Sequence, residues 1–171
     1  MAMNHSNPIQ LPLAIEGETI EIPLSQGYVT VVDAIDADLI GGKWCLFRCR
    51  SGNKYAYSAR SKLLHRVILA RILGEPPTPK QRVDHIDGDG LNNRRCNLRL
   101  CTGSQNIFNS KLSSANKSGY KGVSPFEGRW RAAIGYHSKQ IHLGLFDTPE
   151  EAAEAYRKAA IELAGEFARF E

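Results

Sequence analysis

No run of apolar residues in this 171-residue chain approaches the roughly 18–20 needed to span a bilayer, so no membrane partner is expected. Met1 to Gln10 has neither a basic start nor a following apolar core, which argues against a secretory signal and for a cytoplasmic protein. Cysteine is scarce. Cys45 and Cys49 are separated by three residues, and Cys96 and Cys101 by four. Neither pair has the two-residue spacing that marks a strong zinc site. Buried thiols are the favoured expectation, with a four-thiolate zinc site as the lesser one. With 42% hydrophobic residues, the composition excludes a disordered chain.

Basic residues are also absent where the chain begins. Residues 1–40 contain no Lys or Arg and six acids. Residues 41–140 contain nineteen basic and five acidic residues, a net +14 hidden inside an overall +4. Residues 141–171 return to −4, with three basic and seven acidic residues. A basic middle between acidic ends points to a polyanion partner, because phosphate contacts supply most non-specific affinity for nucleic acid.

The pattern of elements is α+β. Residues 1–58 read as a β-rich region, with strand-like runs at Ile20–Leu24, Tyr28–Val32, Trp44–Arg50 and Tyr55–Ser58. Ser51-Gly52-Asn53 suggests a hairpin, whose strands carry Lys43, Arg48, Arg50 and Lys54 toward a nucleic-acid backbone. Residues 61–73 read as a helix, with Ser61 as N-cap, Gly74 as stop and Leu64, Val67, Ile68 and Ile72 as its apolar stripe. His65 beside that stripe is either a packed histidine or a DNA contact. Residues 112–118 read as a linker. Gly119 to Phe146 then gives three strands. Alternation puts Trp130, Ala132, Ile134 and Tyr136 on one face and Arg129, Arg131, Ala133 and Gly135 on the other. The same alternation separates Ile141, Leu143 and Leu145 from Gln140, His142 and Gly144. A final helix opens with a Thr148/Glu151 capping box and Pro149, carries a stripe of alanines with Tyr156 and Leu163, and stops at Gly165.

Between these parts lies Asp84-His85-Ile86-Asp87-Gly88-Asp89-Gly90-Leu91-Asn92-Asn93-Arg94-Arg95-Cys96-Asn97-Leu98, led in by a strand at Gln81–Val83 and followed by a helix starting near Ser104 and bearing Asn106. Phosphodiester cleavage needs an activated water, a cation at the phosphate and help for the leaving oxygen. Histidine suits the first task because it titrates near neutrality. A carboxylate and an amide oxygen suit a hard divalent cation. Asp87, Asp89, Asn92 and Asn93 read as turn residues. Asp87-Gly88-Asp89-Gly90 also has the look of a calcium loop, but lacks its closing glutamate.

Val83-Asp84-His85-Ile86-Asp87-Gly88, Asn92-Asn93, Asn97-Leu98-Arg99 and Ser104-Gln105-Asn106 together resemble the HNH endonuclease motif, in the variety carried by phage intron-encoded and free-standing homing endonucleases. That resemblance implies a ββα-metal nuclease domain over residues 59–111. His85 would be the general base, and Asn97 the residue that bridges the loop and orients it. Asp84 and Asn106 would be the ligands of one divalent ion, Mg²⁺ or Mn²⁺ rather than zinc. Arg94, Arg95 and Arg99 would clamp neighbouring phosphates. A phage-infected or bacterial cytoplasm is the implied setting. A tethered reader would raise the effective concentration of the weak catalytic module.

The last third of the chain has its own resemblance. Ser118-Gly119-Tyr120-Lys121-Gly122-Val123, Arg129-Trp130-Arg131-Ala132, Ile141-His142-Leu143-Gly144-Leu145-Phe146-Asp147-Thr148 and Glu150-Glu151-Ala152-Ala153-Glu154-Ala155-Tyr156 resemble the AP2/ERF DNA-binding domain. It implies, over residues 119–171, a three-stranded antiparallel sheet laid in the major groove and backed by one helix. Lys121, Arg129, Arg131, Lys139 and His142 would face double-stranded DNA. Trp130 could serve either side, though alternation favours the core. Ser124 stands where the plant domains have an arginine, so base preference does not transfer. No protein partner is implied and a monomer is expected. The leading reading is a site-specific homing-type endonuclease. The competing one is a regulator that binds DNA without cutting it.

Overall fold

The computed structural model describes residues 17–170 apart from Ser51, Ser61 and Ser114. The expected absence of a leader in Met1–Gln10, and the expected roles of Ser51 and Ser61, therefore lie outside the described residues. The fold is α+β. Its described residues form two compact units, one ending at Cys101 and the other starting at Thr102.

The first unit begins with the antiparallel pair β1 (Thr19–Pro23) and β2 (Val29–Asp33). β3 (Cys45–Arg48), β4 (Lys54–Ser58) and β5 (Lys62–Leu63) form a second antiparallel sheet. The β3–β4 turn closes through bonds from Cys49 N to Asn53 O (3.0 Å) and from Gly52 N to Cys49 O (3.0 Å). Lys62 and Leu63 pair with Ser58 and Tyr57, so α1 runs only over Leu64–Leu73, later than the expected start at 61. Gly74 ends it in the left-handed conformation at φ 78°, where a side chain would be strained. β6 (Arg82–His85) and β7 (Leu98–Cys101) then pair antiparallel, with Asp84 opposite Arg99 and His85 opposite Leu98.

These pieces share one core. Ile22, Leu24, Val32, Trp44 and Ala56 pack with Leu64, Ile68, Leu69 and Leu98. Each large aliphatic side chain here stabilises the unit by roughly 1.5–3 kcal/mol. Residues on both sides of the expected boundary near 58 thus contribute to this core, because a helix with this apolar face needs the β-rich segment to cover it. The thiols also differ from expectation. Cys101 is buried, which pushes its thiol up to about 12, but Cys45 and Cys96 are exposed. β3 is an edge strand, and Trp44 just before it takes the buried place.

The second unit starts with α2 (Gly103–Phe108), whose Thr102/Gln105 capping box closes both ways. β8 (Val123–Phe126), β9 (Arg129–Tyr136) and β10 (Lys139–Phe146) form an antiparallel sheet in the order β10-β9-β8, backed by α3 (Pro149–Ala164). The Thr148/Glu151 capping box and Pro149 open α3 as the sequence pattern predicts. Val123, Ala132, Ala152 and Ala153 form the core, with Trp130, Leu143 and Phe146 packed on it. Trp130 thus lies on the core side. Gly122 sits at φ 69° with the Tyr156 ring against it, and a Cβ there would meet that ring at 2.1 Å. At the end of the expected linker, Asn116 ties the chain into this unit. Asn116 Oδ1 accepts from Ser118 N and Gly119 N, and its Nδ2 donates to Tyr120 O.

Strict alternation fails in β10. A bulge between His142 and Gly144 shifts the register, so Gly144 pairs with Ala132, Leu145 with Arg131 and Phe146 with Trp130. Gly144 and Phe146 thereby fall on the helix side, and Leu145 joins the arginine face.

Asp36 is the charged centre of the first unit. Its side chain is fully buried, and it accepts from Arg71 Nη1 (3.1 Å) and from Arg95 Nε (2.8 Å) and Nη2 (2.9 Å). Asp36→Ala should destabilise the protein by about 3 kcal/mol, because two partly buried guanidinium groups lose their carboxylate. A downward shift in the urea midpoint at unchanged slope checks this.

Candidate active site and nucleic-acid surface

Asp84 and His85 end β6, and successive strand residues point to opposite sides. Asp84 meets its cross-strand partner, with Arg99 Nε donating to its Oδ2 at 2.9 Å. His85 turns to the face of Leu98, where α1 packs. There its ring meets His65 edge-on, with centroids 5.0 Å apart, and Tyr55 at 6.0 Å. Both Asp84 and His85 are buried. Burial lowers the His85 pKa, opposed by the Asn93 hydrogen bond and by the nearby carboxylates of Asp87, Asp84 and Asp89. His65 is buried as well and is pushed down to about 3, chiefly by burial and then by His85. It is a packed histidine, not a surface contact.

The loop after His85 is closed by its own amides. Ile86 N donates to Asn97 O (2.9 Å) and Gly88 N to His85 O (2.9 Å). Asn97 Oδ1 accepts from Asp87 N (3.0 Å), while its Nδ2 donates to Asp87 Oδ1 (2.9 Å) and Asn92 O (2.7 Å). Asn97 therefore braces the loop from across it. Asp87 also accepts from Asp89 N (2.8 Å) and Asn92 Nδ2 (2.6 Å). Gly90 permits close approach to β4, since a Cβ would lie 2.3 Å from Lys54 O and 2.6 Å from the Tyr55 ring. Asn106 stands on α2, in the second unit.

Two contributors escaped the sequence reading. Asn93 is fully buried, and its Oδ1 lies 3.2 Å from His85 Nε2. Thr30, on β2, is also fully buried and accepts from Asn93 Nδ2 at 2.7 Å. An asparagine doublet in a glycine-rich loop looks like turn chemistry. The one available signal was a threonine among the valines of β2, facing inward beside Val32.

The arginines of the motif are engaged within the protein. Arg94 Nε donates to Asn92 Oδ1 (2.9 Å), Arg95 holds Asp36, and Arg99 holds Asp84. In the N-terminal sheet, Arg48 and Lys54 flank the Tyr28 ring at 5.1 and 4.7 Å. Arg48 also donates to the Tyr28 hydroxyl (3.0 Å), which with Lys54 lowers its pKa. Lys43 and Arg50 are exposed.

In the second unit, Arg129 and Arg131 share the face away from α3. Arg129 reaches Asp147 (3.0 Å), and Arg131 lies over the Phe126 ring at 5.6 Å. Arg131 Nε is buried without a hydrogen-bond partner. His142 is exposed on the same face as these arginines, whereas Lys139, opposite Tyr136, falls on the other. Lys121 differs from its expected role. Its ammonium donates to Phe108 O (2.6 Å) and Arg169 O (3.0 Å), and burial lowers its pKa to about 8.

A sequence profile described as HNH endonuclease matches residues 62–107, from β5 through the motif to α2. An uncharacterized HNH endonuclease of Acanthamoeba polyphaga mimivirus is 38% identical over 126 residues, covering 74% of this chain and 65% of the relative. Protein 3.8 of Escherichia phage T7 is 41% identical over 97 residues, covering 55% of this chain and 79% of the relative. The chain belongs to the HNH endonuclease family. It spans just under two thirds of the mimivirus relative's length. An AP2-like ethylene-responsive transcription factor of Oryza sativa subsp. japonica is 50% identical over 56 residues, covering 30% of this chain and 9% of the factor. No solved structure gives a significant match. No helix among the described residues is long and apolar enough to cross a membrane.

Asp87 gives a pH test of the loop. Burial would raise its pKa, but the Asp89 main-chain N–H and the amides of Asn97 and Asn92 outweigh that, with His85 adding to them, so it lies below the usual 3.8. Its contribution to stability is therefore present above 3.8 and lost as pH falls through the lower folded value. The stability gap between wild type and Asp87→Asn, read by urea unfolding, should shrink as pH is lowered from 5 to about 2.5.

Proposed function

We propose that this HNH protein is a site-specific, homing-type DNA endonuclease in which His85 is the general base. The observation that carries this reading is the pairing of two buried, chemically unlike groups, Asp84 and His85, at the end of one strand inside a loop braced by Asn97. A structural loop gains nothing from burying an imidazole beside three aspartates.

The donor chemistry fits a hard divalent cation. Asp84 offers a buried carboxylate, the ligand type such a cation takes. Among the described residues no three His, Cys, Asp or Glu side chains are gathered to hold a metal, so waters and a DNA phosphate would complete the coordination. A bound Mg²⁺ or Mn²⁺ would stabilise charge developing at the phosphate and its leaving oxygen. His85 takes the proton from the attacking water as the new P–O bond forms. The bond from phosphorus to the 3′ oxygen breaks on the opposite side. Asn97 keeps the loop from shifting the base out of line.

The arginine face of the second unit serves as the DNA reader, with the Arg131 guanidinium on it over the Phe126 ring. Arg129 and His142 lie beside it. In the first unit, Lys43, Arg48, Arg50 and Lys54 track phosphates, with the Tyr28 ring between Arg48 and Lys54. One active site per monomer favours nicking.

Supercoiled plasmid carrying the DNA that flanks the gene, incubated with Mg²⁺ or Mn²⁺, tests the reading. Nicked product is expected from wild type. His85→Ala should lower the rate by at least about 100-fold while leaving DNA affinity unchanged. Plasmid that stays intact with either ion, yet shifts on a gel, would make the protein a non-cutting regulator. Arg131→Ala should weaken DNA binding and lower the salt slope of log K by about one, measured between 50 and 200 mM salt.

A further inference from the structure

We propose that Thr30 and Asn93 form a positioning relay that fixes the His85 ring with its neutral-state proton on Nε2. The inference rests on the general-base reading of His85 and adds to it the device that holds the ring in one tautomer and orientation.

The argument is one of hydrogen-bond accounting. The Thr30 hydroxyl has one proton, and it is donated to Leu91 O at 2.7 Å. Its oxygen must therefore accept from Asn93 Nδ2, which lies 2.7 Å away. The second Nδ2 proton is directed toward Gly90 O at 3.4 Å. The nitrogen end of the carboxamide is thus settled, and its oxygen end is the one 3.2 Å from His85 Nε2. A carboxamide oxygen only accepts, so the ring nitrogen facing it is the N–H.

The relay is rigid. Thr30 and Asn93 are both fully buried, so water does not compete for their bonds. Main-chain bonds hold the two residues in place, from Val31 N to Leu91 O (2.9 Å) and from Asn93 N to Val31 O (2.8 Å). A flipped carboxamide would set its oxygen against the Thr30 oxygen and the Gly90 carbonyl, with no proton between them. Strand β2, in the N-terminal hairpin, thereby controls a ring atom of the motif.

The test uses the full chain labelled with ¹⁵N at its histidines. Long-range ¹H–¹⁵N spectra of neutral imidazoles distinguish a protonated Nε2 from a protonated Nδ1, and loss of one set of peaks in His85→Ala assigns the residue. Wild-type His85 is expected as the Nε2–H form. Thr30→Val keeps the shape but removes the acceptor of the Asn93 amide. It should mix the two forms and lower kcat for plasmid nicking about 10-fold with KM unchanged. Thr30→Ser should restore both. Nδ1–H in wild type overturns the proposal, as does Thr30→Val with unchanged spectrum and kcat. A kcat loss that follows a falling melting temperature while the spectrum stays the same also overturns it. If wild type fails to cut DNA, the nuclease reading falls, while the spectra still decide the relay.

Discussion

The seating of the motif loop on strand β2 is the constraint on which the first unit depends. Residues 91–93 run parallel to β2 for a single bridge, Val31 with Asn92, and exchange two main-chain bonds with Val31. A glycine-rich loop of this length would otherwise sample many conformations, and each ordered residue costs roughly 1–2 kcal/mol of backbone entropy. The loop is instead fixed at both ends. Asn97 and Asp87 brace one end, and Thr30 and Asn93 the other. His85 lies between them, so its ring inherits the precision of both braces.

Charge is arranged to the same end. Asp33 accepts from Arg95 N at 2.7 Å, and the buried Asp36 binds the Arg95 side chain and Arg71 of α1. The acidic start of the chain is thus an internal counter-charge for the motif as well as a contrast to its basic middle. It explains why Arg95 is not presented to solvent like Lys43 or Arg50. The same principle recurs at Lys121, whose ammonium satisfies two main-chain carbonyls instead of reaching outward.

Local signals were legible wherever a single residue type does one job. The Thr148/Glu151 box, Gly74 as helix stop, Trp130 on the core side and the strand leading to His85 are all consequences of short-range backbone chemistry or alternation. Alternation misled in β10, because a bulge inserts one residue and moves Gly144, Leu145 and Phe146 to opposite faces. It misled again at Cys45, because facing one side of a strand buries a side chain only when something covers that side. Turn signals mark element ends, whereas units are decided by which apolar faces cover one another.

The sequence by itself determined the family, the α+β class and the adjacency of Asp84 and His85, because residue types and spacing are one-dimensional information. Only the tertiary structure decided which neighbours act on them. Asn93 reads as a turn residue and Thr30 as an ordinary strand residue, and neither has a local signature of contact with His85. Their link to it runs through two buried hydrogen bonds, one of them spanning 63 residues of chain. Such a link exists only once the core has excluded water and left each polar atom with a single available partner.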